Sequence, residues 1–590
     1  MGVGDDNTPN DREPRNLSVG VTVVGKRARS PAGVAIGRNC RIDANVVDAD
    51  FGGVRAEAFV PSGGTVVAGR ALVGRYAARP GRASEVVVPA GRRTRAVRRR
   101  RRRPGRSRPP RDCRRELSAG PRKTRGRTPA GPPRAAADHA PPSARCASPR
   151  LAGGVASRRV RNAPETPPPS EHEAARPAAV WPPFVRAAIG LALLGGFGLG
   201  GGLGLALALR LPLGTWWLAA VQAHGHLQLF GWAGLMVLGV SLHFMPRLRG
   251  AALVAPGLTR PALALLAAGL LARLVAQPAL AATAEPLAVV LRSALAVAAV
   301  AELAGALVAV GLLAATLRRG PPLAARAGLR PVLPFFVVGF ASLLLALAAN
   351  LLGLLRVGPG GLVDPPLDGL LAQLGLDGFV VPIAVGMSMR TFPLYFRTHL
   401  PYQGPMHAGL ALWVVGMLLS LAGWPHGLIG QAAAAALWLH ALGVFAPREP
   451  RPRDTTPAWA PIPLHARAAY AWLGVAALLK LGEATARLGG PPVVPGADAE
   501  RHALGAGFVT LLILGVGAEM LPGFARRPLR DPRLPWATLV LANAAAALRV
   551  GAALAPSLPP SLLGSLLGAA GLLGLAAVVA FALAVPSRPR

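Results

Sequence analysis

The chain has 590 residues, of which 52% are hydrophobic and only 16% charged, with a formal net charge of +38. That balance excludes an ordinary soluble enzyme, and the charge is unevenly spread, since 37 of the 65 Lys and Arg precede residue 180. A basic excess of this size points to nucleic acid or an anionic membrane surface, and its position beside long apolar runs favours the membrane; no nucleic-acid partner is expected.

Residues 1–178 are dense in Arg, Pro, Gly and Ala, with an unbroken arginine run from Arg98 to Arg103. Such a composition buries too little apolar surface to offset the entropy of ordering it, so a disordered extension is expected. A start of translation near Val180 is the other reading of this segment. No aromatic residue interleaves the arginines to stack on bases. Cys40, Cys113 and Cys146 all lie here, without the CxxC spacing or the paired histidine of a zinc site.

From residue 179 to 590 the chain reads as an all-α, polytopic transmembrane helix bundle. Apolar runs of about 20 residues, the length that crosses a bilayer core as helix, place spans near 183–209, 215–245, 261–281, 286–316, 331–355, 367–389, 407–424, 428–446, 464–485, 501–522, 535–554 and 561–585. The loops agree. Arg247, Arg249 and Arg260 follow the second span, Arg318, Arg319, Arg326 and Arg330 the fourth, Arg448, Arg451, Arg453 and Arg467 the eighth, and Arg526, Arg527, Arg530 and Arg533 the tenth. Leu211–Thr215 and Gly423–Gly427, on the opposite side, carry no Lys or Arg. The bias of positive charge toward the cytoplasm then gives a multi-pass protein of the cell membrane with both termini cytoplasmic.

Polar side chains inside spans need a reason, because hydrocarbon does not solvate them. In the second span, Ala223-His224-Gly225-His226-Leu227-Gln228-Leu229-Phe230-Gly231 places two histidines at i and i+2, about 200° apart on a helix. They cannot easily share one metal, although each can serve as a ligand or as a hydrogen-bonding link between helices. His502 opens the tenth span on the same side of the membrane, so His224, His226 and His502 are candidates for a common metal or haem site. Arg390 ends the sixth span, where it either snorkels to water or pairs with a haem propionate or a buried carboxylate. His399 and His407 flank the loop that follows. Glu302 in the fourth span, and Lys480 with Glu483 in the ninth, read as a proton route or as ion pairs with one another or with Arg273 and Arg292. No phosphate-binding glycine loop or nucleophile elbow occurs in this half.

The segment from His224 through Phe230 and Gly231 to Pro246 and Gly250 resembles the second-helix signature of the NnrS family. Gly386 to Phe396, with Arg390 and Pro393, is similar to that family's Gly-Arg-Val-Ile-Pro segment; His502-Ala503-Leu504 followed by Gly515-Val516 resembles its His-Ala-Leu-Thr helix, and Arg549 matches an arginine ending the next. The resemblance implies a twelve-helix protein with haem and copper, a small diatomic ligand, and a role in nitric oxide metabolism or nitrosative stress tolerance. Its implied ligands are His224, His226 and His502. Two departures stand out: Pro522-Gly523-Phe524-Ala525-Arg526 replaces a Gly-His-Thr-Gly-Arg segment, and Leu227 replaces an acidic residue. Subunit I of haem–copper oxidases is a more distant likeness, and this chain lacks the adjacent histidines of that protein's seventh helix. A secondary transporter without metal, built around a sixth span broken near Pro382 and Pro393, is the alternative of a different class.

Overall fold

The computed structural model describes residues 10–12, parts of 22–68, and 179–586 apart from 327, 447–459 and 491–495. The chain divides into two compact units, Met1–Pro80 with Pro177–Arg590, and Gly81–Arg176, and every described residue belongs to the first.

Within the expected disordered extension, a short stretch is ordered. Five two-residue strands, β1 (Val23–Val24), β2 (Ala35–Ile36), β3 (Arg41–Ile42), β4 (Phe59–Val60) and β5 (Thr65–Val66), pair in parallel as β1-β3-β5 and β2-β4. Val23 sits opposite Arg41, and Arg41 opposite Thr65, so the chain coils back on itself in successive rungs. Cys40, Ile42, Val46, Phe51, Val60 and Val66 fill the interior. The average composition of 1–178 concealed this local run of apolar residues. The arginine run, Cys113 and Cys146 lie outside the described residues.

From Trp181 onward the described chain is helical. Eleven helices are long and apolar enough to cross a membrane: α1 (Trp181–Ala208), α2 (Thr215–Arg249), α3 (Pro256–Leu280), α4 (Leu287–Leu317), α5 (Leu333–Leu355), α6 (Pro365–Phe396), α7 (Gln403–Leu421), α9 (Pro461–Arg487), α10 (Ala497–Ala525), α11 (Leu534–Leu554) and α12 (Pro560–Ala584). The twelfth expected span is α8 (His426–Leu442), an apolar helix of 17 residues packed along α7. Each expected span coincides with one of these helices. Most connections are short, so successive helices run antiparallel. One end of the bundle, here the basic end, carries the loops after α2, α4 and α10 with their arginines; the far end carries the loops after α1, α3, α5 and α7. The basic loop expected after the eighth span falls largely outside the described residues.

Four helices are not uniformly α. Residues Ala192–Gly196 of α1, Leu227–Gly234 of α2, Leu374–Val380 and Phe392–Phe396 of α6, and Ala503–Val509 of α10 are wound as π-helix. Such local widening of the helix is rare and concentrates at functional positions. The π segments of α2, of α6 at Leu374–Val380 and of α10 touch one another. They mark the centre of the bundle.

The first and last helices seal the bundle through glycine. A Cβ added at Gly204 would stand 2.6 Å from the Leu567 carbonyl oxygen, and one at Gly564 would stand 2.8 Å from the Leu207 backbone. Gly201 and Gly571 approach backbone to backbone in the same seam. Small residues permit this contact in lipid, where helices associate by close packing rather than by expulsion of water. Gly204→Leu is expected to prise α1 from α12 and destabilise the purified protein by about 1–3 kcal/mol. Thermal melting in detergent should register the loss, while Gly202→Leu, beside open space, should leave the melting temperature nearly unchanged.

Candidate functional site in the far half of the bundle

The i, i+2 spacing of the two α2 histidines sends them to different neighbours. His226 is buried and donates from Nε2 to Glu302 Oε2 on α4 at 2.6 Å. Its Nδ1 accepts from Arg273 Nη1 on α3 at 3.0 Å. With both ring nitrogens engaged, this imidazole is the neutral Nε2–H tautomer with no lone pair left for a metal. Arg273 continues the network by donating to Asn350 Oδ1 on α5 and, through Nε, to Gln277 Oε1 at 2.9 Å. Gln277 Nε2 in turn donates to Gln222 Oε1 at 3.0 Å. Gln222 then bonds both the backbone N–H and the carbonyl of Val363, fastening the loop between α5 and α6. Glu302, Arg273, Gln277, Asn350 and His226 are all essentially inaccessible.

His224 turns instead to the glycine face of α1. Its Nδ1 donates to the Gly196 carbonyl at 2.8 Å, and its ring lies where a Cβ on Gly200 would come within 2.5 Å of Cε1. His502, at the start of α10, is close enough to interact with it electrostatically, as is Arg549 of α11. The His502 Nδ1 donates to the Asp498 carbonyl at 2.8 Å, with the Asp498 carboxylate at 3.2 Å. Arg549 Nη2 holds that carboxylate at 2.8 Å. Each imidazole is thus oriented through Nδ1 by a backbone carbonyl, which leaves its Nε2 lone pair free, with no partner among the described residues. This is how proteins fix the tautomer of a ligating histidine. Beside the pair, Cβ positions at Gly225 and Gly505 look into open space.

The expected three-histidine site therefore resolves into two. His224 and His502 share one locality, whereas His226 is turned into the charged network on α3 and α4. Arg390 joins neither, because it lies at the other end of α6, reaching toward Gly328 and Tyr395. At the same basic end, His407 donates to the Pro331 carbonyl at 2.8 Å, and His399 packs beside Tyr402. Of the expected partners of Glu302, Arg273 belongs to its network and Arg292 pairs with Glu285 instead. Glu483 pairs with Arg487 at 2.7 Å rather than with Lys480. Lys480 is held by two carboxylates that the sequence reading passed over, Asp377 of α6 at 3.2 Å and Glu500 of α10 at 2.8 Å. A lone Asp inside an apolar run was the signal for the first, while Glu500 stands one residue before the expected start of its span.

Toward the basic end, α2, α6 and α10 part to leave an almost wholly apolar, half-open cavity of about 110 Å³. Met236, Met245, Met387 and Met520 line it, and Ser241 and Ser388 supply hydroxyls. Among the described residues, no group of three or more His, Cys, Asp or Glu is arranged to hold a metal ion.

Comparison with known proteins covers parts of this architecture. Residues 464–584, the last four helices, match a family described as Domain of unknown function (DUF8744). A glucose-1-phosphate adenylyltransferase of Thermomicrobium roseum is 52% identical over 66 residues, which are 11% of this chain and 14% of that enzyme. The chain thus spans about a seventh of the curated relative it matches. A solved structure of a heme-copper terminal oxidase dimer is similar with a TM-score of 0.45 and 13% identity, over 70% of this chain and 86% of that one.

Breaking the His226 network should be costly. Arg273→Met leaves Glu302 as a buried carboxylate without its cation, and a loss of about 3–5 kcal/mol is expected. The double change Arg273→Met, Glu302→Leu should recover much of it, since it removes both charges together. Melting of the two purified variants beside wild type checks the order; equal stability of the single and double variants would show that the pair is not coupled.

Proposed function

We propose that this multi-pass membrane protein binds haem at its far end, where the imidazoles of His224 and His502 would hold it. The carrying observation is that the two rings come together from α2 and α10, each anchored through Nδ1 and each with Nε2 unengaged. A bare metal ion needs three or four protein ligands, but a haem brings its own equatorial nitrogens and asks the protein for one or two. A Cβ at Gly225 or Gly505 would have no neighbour within 4 Å, and Arg549, which also holds Asp498, supplies a guanidinium nearby. Bound haem would supply a one-electron redox centre. This chain's contribution is to orient the imidazoles and exclude water. His226 and Arg390, implied as haem contacts by the family resemblance, are left out of this reading, and copper has no ligand set in it.

The resemblance to NnrS supports a role for such a haem in nitric oxide metabolism or nitrosative stress tolerance. The arginine-rich loops favour a cytoplasmic basic end, with both termini on that side and the histidine pair toward the outer face. A second reading, a secondary transporter without metal, draws support from the charged networks within the bundle and from the two π segments that interrupt α6.

Full-length protein purified from haem-supplemented cells is expected to show a Soret band. His224→Ala and His502→Ala should each abolish or shift it, while His226→Ala, though less stable, should keep it. A colourless wild-type protein, or a band indifferent to both His224 and His502, would sink the haem reading and leave the transporter.

A further inference from the structure

We propose that the cluster around Lys480 is a proton-binding site, in which one exchangeable proton is shared by Asp377 and Glu500 and reaches them from the far end. Lys480 Nζ lies 3.2 Å from Asp377 Oδ2, 2.8 Å from Glu500 Oε1 and 3.2 Å from Gln431 Oε1, and 5.4 Å from the centre of the Trp413 ring. Two carboxylates face one ammonium. The Lys480 and Asp377 side chains are 2% and 6% exposed, so the surplus negative charge has almost no water to solvate it. An uncompensated ion in hydrocarbon costs several kcal/mol, and the cheapest compensation is a proton on one of the two acids.

Among the described residues, the surrounding elements supply no second buried cation. From α8 comes Gln431 and from α7 the Trp413 ring, both neutral. On α9, Glu483, one turn from Lys480, is taken up by the exposed Arg487. On α10, Arg501 interacts electrostatically with Glu500, but it is exposed, so water screens it. His502, its neighbour, faces Asp498 and His224 instead.

The route is set by unequal burial. Glu500 is the fourth residue of α10, and its side chain is 16% exposed. Asp377 lies deeper, inside the π segment Leu374–Val380, and its backbone carbonyl accepts from Trp413 Nε1 at 2.7 Å. Among the described residues, Asp377 Oδ1 and Gln431 Nε2 are buried without a partner, an acceptor and a donor left over on two residues that Lys480 already joins. A proton arriving at Glu500 reaches Asp377 by relay: the Lys480 ammonium gives one of its protons to Asp377 Oδ2 and takes the Glu500 O–H proton in its place. One N–H and one O–H bond break, one O–H and one N–H form, no electron moves, and Lys480 is left as an ammonium paired with the Glu500 carboxylate. This site stands whether or not haem binds at His224 and His502.

Infrared difference spectra of the full-length protein in lipid nanodiscs, between acidic and alkaline buffer, test the assignment. Wild-type protein at neutral pH is expected to show a protonated-carboxyl C=O band that shifts in D2O within minutes. Glu500→Gln and Asp377→Asn should each remove it. Lys480→Met, which leaves two acids and no cation, should roughly double it. Glu500→Asp keeps the charge and tests the same point if the amides disturb folding, because it should move the band without removing it. A band of equal intensity in wild type, Glu500→Gln and Asp377→Asn would overturn the proposal, since it would belong to another acid such as Glu302. So would its absence from wild type, and so would sodium bound stoichiometrically in wild type and lost in both variants.

Discussion

A carboxylate carried into hydrocarbon must find a cation or a proton, and this requirement organises the far half of the bundle. Glu302 on α4 finds Arg273 on α3 and the ring N–H of His226 on α2, so three helices are tied by a single buried carboxylate. Asp377 and Glu500 bring α6 and α10 to Lys480 on α9. Each pairing is costly to dismantle, because removing one member strands the other in a medium that cannot solvate it. Apolar packing alone does not select one arrangement of twelve greasy helices so sharply, since lipid tails compete with Leu and Val for the same contacts. The ionic contacts fix which helix faces which.

That ordering has a consequence for the histidines. Because His226 is consumed by Glu302 and Arg273, the helix rotation that satisfies it also dictates where His224 points, about half a turn away. It points at α1, where Gly196 and Gly200 leave room for a ring and a carbonyl accepts its Nδ1–H. Leu227–Gly234, immediately after the pair, is wound as π-helix, which resets the phase of α2 before the helix reaches the central cavity. One histidine is thus spent on architecture, and its neighbour is left presented by that architecture.

Much of the fold was legible in the sequence because bilayer thickness imposes a length on every apolar run, and because arginines collect at alternate loops. The divergence of His224 and His226 was legible too, from 3.6-residue geometry alone. Partners were not. Glu302 was expected to meet Arg273 or Arg292 with equal reason, and only tertiary packing distinguishes them. Lys480 was read with Glu483, its near neighbour in sequence, whereas the partners it takes lie 103 residues away and across the α9–α10 turn. The ordered rungs at Val23–Val66 escaped notice for another reason: the composition of a long segment averages away a short repeat whose apolar residues are sufficient for a small core.

The two buried networks differ in a way that bears on what each does. Around Arg273 one acid, Glu302, meets one guanidinium, and the bonds run through Gln222 to the loop after α5; such a network is a lock, although Glu302 Oε1 and Arg273 Nη2 are buried without a partner among the described residues. Around Lys480 two acids meet one ammonium, and one of those acids touches the surface. A structural role alone would be served as well by one carboxylate, and a second one adds desolvation cost without adding a cation to meet it. An acid that the fold does not need, kept at the boundary between water and hydrocarbon, has its simplest physical account in a charge that comes and goes.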